Sequence, residues 1–211
     1  MIIALVDDAI DLDHEDLAAN IFVNWAEYNG TAGLDDDFNG YVDDVHGWDF
    51  AENDNDPNPV IGSQNHGTHV AGCASAVTDN DIGVAAPGWK CKILPLKFSN
   101  DQNGALSGDA AAAIIYAADM GATVTNNSYG GGGYSNYFLD AFLYAYELGT
   151  LSFASAGNSD ENELHYPSAY RNVFSVASTT TGDYKSGFST YHLSVDISSP
   201  GSSILSSTPD N

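Results

Sequence analysis

At 211 residues the chain is long enough for one sizeable core, and a single domain over residues 1–211 is the expectation for that length. Five lysines and arginines stand against 29 aspartates and glutamates, and the formal charge of -24 repels phosphate backbones and anionic headgroups, so nucleic acid and membrane surfaces are set aside as partners. No apolar run reaches the roughly 18 residues a transmembrane helix needs, and the 2 cysteines, Cys73 and Cys91, are too few for a disulfide scaffold and lack metal-site spacing. Two free buried thiols are the simplest reading of that pair, one disulfide the alternative. Nothing in the sequence sets an oligomeric state, so a monomer is the default.

In chain order, Ile2 to Asp7 is an apolar run rich in branched residues and reads as a buried strand ending on an aspartate. It follows Met1 with no basic leader and no cleavage site, which reads as a trimmed or partial chain. Asn29 to Gln64 is polar and acidic with few periodic apolar positions, an elaborated loop. His66 to Ala76, Ser107 to Met120 and Asn136 to Leu148 carry helical patterns, the second opened by Ser107 as N-cap and filled with alanine. Lys92 to Phe98, Ala122 to Asn127, Thr150 to Ser155, Asn172 to Ala177 and Leu193 to Ile197 read as further strands. Short apolar strands alternating with helices predict an α/β fold with a mostly parallel sheet covered on both faces. Tyr166-Pro167 sits in a turn where trans is the default. Trp25, Trp48 and Trp89 read as core or loop anchors, and Ser206 to Asn211 as loop.

Within the long loop, Asp35-Asp36-Asp37-Phe38-Asn39-Gly40-Tyr41-Val42-Asp43-Asp44 places oxygen donors at alternate positions around a turn-permitting glycine. Asp35, Asp37, Asn39, Tyr41 and Asp43 form the pattern of the first nine positions of an EF-hand loop, and crowded carboxylates favour a counter-ion such as calcium, a solvated acidic loop being the alternative. The twelfth position is His46 rather than glutamate, so a true EF-hand is not expected, and Asp44 or Asp49 would have to supply the missing ligand. A second acidic stretch, Asp160 to Glu163, reads as solvent-facing.

Ligands of open α/β sheets bind beyond the carboxyl ends of the strands. Asp7 ends the first strand, His66 opens a helix and Asn158 follows a strand, which predicts all three on one rim. An aspartate to orient a histidine, a histidine to take a proton and an amide to hold a developing oxyanion are three of the four parts of a serine hydrolase. Gly130 to Gly133 and Gly104 offer bare backbone against which an extended peptide can lie as an added strand. Small Ser155, Ala156 and Gly157 leave room for a side chain of that peptide.

These segments together resemble the subtilisin-like serine proteases. Val6-Asp7-Asp8-Ala9-Ile10-Asp11 resembles the family's aspartate motif, His66-Gly67-Thr68-His69-Val70-Ala71-Gly72 its histidine motif, and Ala156-Gly157-Asn158 its oxyanion motif. Ser128, Tyr129 and Gly130 resemble the segment that binds the substrate backbone and walls the S1 pocket. The resemblance implies a three-layer sandwich, a secreted endopeptidase acting on polypeptides, and loops fastened by calcium. Two departures stand out. Ala9 replaces a customary glycine, which would strain a backbone needing positive φ. The Gly-Thr-Ser-Met-Ala motif that bears the nucleophile is absent, and no serine from Ser199 to Ser207 has its context. The expectation is therefore a protease cut short before its nucleophile and inactive alone; the alternative is a catalytically dead module kept for binding peptides or partners.

Overall fold

The computed structural model describes residues 1–209. Two compact units divide it, the first made of residues 1–113 with 206–209 and the second of residues 114–205. The first contains strand β1 (Ile2–Asp7), the short helix α1 (Trp25–Tyr28), strand β2 (Trp48–Asp49), helix α2 (His66–Ser75) and strand β3 (Lys92–Lys97). Helix α3 (Ala110–Asp119) contains the division between the units. Strand β4 (Val124–Asn127), helix α4 (Asn136–Glu147) and strands β5 (Leu151–Ser155), β6 (Val173–Thr179) and β7 (Ile197–Pro200) follow in the second.

In the first unit the strands lie in the order β2-β3-β1, all parallel, with Asp7 opposite Lys97 and Asp49 opposite Lys97 on the other side. Ala4, Leu5 and Val6 are all fully buried, as expected of a parallel strand covered on both faces. Leu5, Ile10, Leu17, Ile21, Ala71 and Ile93 join strands, loop and α2 in one apolar core. Full burial of each large member contributes about 1.5–3 kcal/mol. The second unit is a parallel ribbon in the order β4-β5-β6-β7. Phe153 and Phe174 stack across β5 and β6 with centroids 4.9 Å apart. The buried stripe of α4, Ala141, Phe142 and Ala145, follows the helical period, and Phe142 meets the Tyr170 ring. In each unit parallel strands joined through helices give an α/β arrangement.

The expected strands and helices are present, with informative shifts. Helix α3 begins at Ala110 rather than near Ser107, because Phe98 O already accepts the N–H groups of Ser107 and Gly108. Its cap is Asp109, whose carboxylate accepts from Ala111 N and Ala112 N at 3.0 Å each. The last strand runs over Ile197–Pro200 rather than Leu193 to Ile197. A turn closed by Val195 N to His192 O keeps the preceding residues out of the sheet. The expected loop from Asn29 to Gln64 is broken by β2, and α1 stands just before it. Trp48 is buried as an anchor should be, whereas Trp25 and Trp89 are exposed. The Tyr166-Pro167 bond is cis rather than the default trans. Cys73 and Cys91 are free thiols, half-buried rather than fully so. No helix among the described residues is long and apolar enough to cross a membrane. Ser206 to Pro209 have no regular structure, and Asp210 and Asn211 lie outside the described residues.

Candidate active site

Asp7 is the last residue of β1 and is buried; His66 is the first residue of α2 and its ring is half-exposed. Nδ1 of His66 donates to Oδ1 of Asp7 at 2.7 Å, and the same oxygen accepts from Asp8 N at 2.8 Å. The bond from Asp7 holds the His66 pKa above its ordinary value of 6.5, against the lowering effect of partial burial, with the charges of Asp7 and Asp8 adding to the rise. Burial pushes the Asp7 carboxyl up, and the His66 contact only partly offsets it. With Nδ1 bonded to the carboxylate, Nε2 is the nitrogen left to take a proton from a nucleophile.

The residues flanking His66 explain how a helix can start against the end of a strand. A Cβ at Gly67 would collide with the carbonyl oxygen of Ala9, so only glycine lets α2 approach β1 this closely. Asp8 completes the join: its Oδ2 accepts from His66 N at 3.0 Å, and its Oδ1 from Gly67 N at 2.7 Å and Ala9 N at 2.7 Å. Asn65, the local cap position, makes no side-chain cap bond, so the first N–H groups of α2 are satisfied by a carboxylate 58 positions away. Thr68, fully buried, accepts from Asp11 N at 3.0 Å, and Ser206 donates to His69 O at 2.7 Å. The motif around His66 is thus a set of contacts fixing one ring beside one carboxylate. Ala9 is buried and is not among the residues with positive φ, so the expected strain from replacing glycine does not arise.

In the second unit, Asn158 is exposed and follows Gly157, just past β5. Ala156 N donates to Val176 O at 2.9 Å and Gly157 O accepts from Thr190 N at 2.9 Å, which pins the backbone that presents the Asn158 side chain. Ser128, Tyr129 and Gly130 follow β4. Ser128 Oγ accepts from Asn126 Nδ2, and Tyr129 Oη donates to Asn127 Oδ1, whose own amide reaches Phe153 O on β5. Part of the glycine run is paired already, since Gly132 bridges Tyr166 in antiparallel fashion. The sequence reading missed His165, whose ring packs against the backbones of both Gly130 and Gly157, leaving no room for a Cβ at either. Burial lowers the His165 pKa, with Glu163 opposing.

The acidic loop gathers a different set of ligand atoms from the alternate-position pattern. Glu27, Asp37 and Asp44 each bring a carboxylate oxygen within 4.8 Å of the others, and Glu27 and Asp44 are buried. Asn24 Nδ2 donates to Asp37 and Asp44 at 2.8 Å each, and Asn39 Nδ2 donates to Asp44 at 2.8 Å. Asp35 accepts from Gly40 N and Asp43 from Gly33 N, so both brace the loop, while Asn39 Oδ1 accepts from Tyr41 N. Three convergent carboxylates with amides alongside suit a hard cation such as calcium. Glu27 lies on α1, outside the acidic run, and no spacing rule pointed to it.

The chain's 211 residues match, from 1 to 211, the model of the subtilase family, peptidase S8. The chain belongs to the subtilase family. It is 37% identical over 207 residues to thermitase of Thermoactinomyces vulgaris, covering 98% of this chain and 65% of that protein. It is 38% identical over 206 residues to the halolysin-like extracellular serine protease Nep of Natrialba magadii, covering 98% of this chain and 35% of that protein. Among solved structures, fervidolysin from Fervidobacterium pennivorans, a keratinolytic enzyme related to subtilisin, superposes with a TM-score of 0.78 at 31% identity, covering 99% of this chain and 29% of that one. The chain therefore spans between about a third and two thirds of the length of thermitase and Nep.

Proposed function

We propose that the intact protein to which this chain belongs is a secreted serine endopeptidase. Asp7 orients and stabilises the His66 ring, His66 takes the proton of a serine nucleophile, and Asn158 donates to the oxyanion of the tetrahedral intermediate. Ser128, Tyr129, Gly130 and Gly104 offer backbone to the extended substrate, and Ser155, Ala156 and Gly157 leave space for one of its side chains. The observation that carries the assignment is the 2.7 Å contact between His66 Nδ1 and a buried Asp7 carboxylate, supported by the family membership. None of the 211 residues lies in a nucleophile motif, so the chain on its own hydrolyses nothing by the serine route. The extracellular location is carried over from the halolysin-like extracellular serine protease Nep, to which the chain is similar.

Structural calcium belongs to the same proposal, held by Glu27, Asp37 and Asp44 and neutralising carboxylates that otherwise repel. The direct test of the function is assay of the intact protein and its Asp7→Asn and His66→Ala variants on a peptide amide. Loss of amide hydrolysis in both variants supports the assignment. Undiminished hydrolysis in either overturns it, and an intact protein that binds peptide without cleaving it favours a binding module.

A further inference from the structure

Strands β4 and β5 are parallel neighbours with Asn127 opposite Ala154, so both chains leave the sheet at its carboxyl edge, where an open α/β sheet offers a crevice. Gly130 follows β4 and Gly157 follows β5. The imidazole of His165 sits between these two exits: a Cβ at Gly130 would collide with its Nε2, and one at Gly157 would lie 2.8 Å from its Nδ1. The space that the two glycines leave by having no side chain is therefore taken by a ring from a third segment.

The backbone beneath that ring is fixed on both sides. His165 O accepts from Ala169 N and from Ser168 Oγ at 2.8 Å each. Tyr166 bridges Gly132, and its ring meets those of Tyr134 and Tyr170 with centroids 5.8 and 4.7 Å apart. This support holds the imidazole in place and leaves its nitrogens uncommitted. His14, His46, His66 and His192 each bond Nδ1 to a protein partner, whereas neither ring nitrogen of His165 has a hydrogen-bond partner among the described residues. A histidine kept for packing alone has its polar atoms satisfied inside the protein, as buried polar groups generally are. The half-buried ring of His165 instead leaves its nitrogens to water or to a ligand. Burial lowers its pKa, with Glu163 opposing, so at neutral pH the ring is uncharged and offers one N–H donor and one acceptor. A side-chain amide or hydroxyl matches both; a carboxylate finds a single donor and approaches against the charge of Glu163.

We infer that His165 determines which side chain the substrate carries before the cleaved bond: a short one ending in an amide or hydroxyl bonds to the imidazole, and a large aromatic one is shut out by the ring. The inference rests on the peptidase function proposed above, which puts Gly130 and Gly157 beside that side chain. The selectivity belongs to the side chain at 165 and not to the backbone that pairs with the peptide.

The test uses the intact protein and three peptide amides that differ only in the residue before the cleaved bond, which is Asn, Leu or Phe. Asn and Leu are close in size and differ in hydrogen bonding, while Leu and Phe differ in size. The wild type is expected to prefer Asn over Leu about ten-fold in kcat/KM, the effect of one well-placed hydrogen bond, and to cleave Phe least. His165→Phe keeps a ring and removes its nitrogens, and should erase the Asn preference while Phe stays disfavoured. His165→Gly removes both, and should raise kcat/KM for Phe relative to Leu about ten-fold. The wild-type ratios test the selectivity without any variant, and His165→Phe, close in size to the native ring, assigns it to the nitrogens. A wild type that cleaves Leu as well as Asn, or a His165→Phe variant that keeps the Asn preference, overturns the role of His165. A wild type that cleaves none of the three overturns the peptidase function, and this inference with it.

Discussion

Two neighbouring aspartates at the end of β1 divide the work at the histidine. Asp7 fixes the ring through its side chain, and Asp8 fixes the helix that bears it through two of that helix's backbone N–H groups. Replacing Asp8 by alanine leaves those donors unpaired beside the His66 ring, and a cost of about 1–2 kcal/mol is expected from the loss of a helix cap; denaturant unfolding of the intact protein measures it, and an unchanged midpoint would remove Asp8 from this role. Protonation gives an independent check. The raised folded-state pKa of His66 contributes stability that is fully present below its ordinary value of 6.5 and is lost as pH rises through the folded value. Melting midpoints of the wild type minus those of His66→Ala should therefore shrink as pH rises from 6 to 9. Activity should have the opposite slope, since only the neutral ring accepts a proton, with the acid limb of kcat/KM above 6.5 in the wild type and lower in Asp7→Asn. Asp7→Asn is also expected to lose on the order of 10⁴ in kcat, a magnitude carried over from serine proteases whose triad aspartate was replaced. Asp7 and His66 were readable in the sequence because strand-end acid and helix-start base come embedded in residues whose contacts are specific. Asp8 as a remote cap and His165 between two glycines were not, because each acts across a long sequence separation that no local pattern encodes.

At the scale of elements, β1, α2 and β3 were legible almost to the residue; in the two strands the apolar runs Ile2 to Val6 and Ile93 to Leu96 are bounded by the charged residues Asp7, Lys92 and Lys97. Helix α3 was legible as a helix and misplaced at its start, because Ser107 looks like a cap until Phe98 O claims its N–H. Asp109→Ala should cost about 1 kcal/mol and Ser107→Ala much less, which paired unfolding curves would distinguish. The last strand was misread because Leu193 and Val195 have strand composition, yet a turn at His192 keeps Leu193 wholly exposed. The acidic loop was legible as crowded charge with Asp37 and Asp44 among its candidate ligands, but Glu27 was not, since it comes from α1 outside the acidic run. If calcium occupies Glu27, Asp37 and Asp44, the melting midpoint of the intact protein rises with calcium and falls with chelator, and Glu27→Gln flattens that dependence. A midpoint indifferent to both would leave the carboxylates as loop braces alone.

For the whole molecule, a formal charge of -24 opposes binding to polyanions and says nothing about catalysis. What places the chain in its family is an order of motifs spread along it, matched from residue 1 to 211. In the proposed function Asp7 and His66 serve a serine that lies in no motif of these 211 residues. Labelling the intact protein with a fluorophosphonate and mapping the modified residue by mass spectrometry tests it most directly. The predicted result is one labelled serine outside residues 1–211, with labelling lost in His66→Ala; a labelled serine within residues 1–211, or none at all, would contradict it.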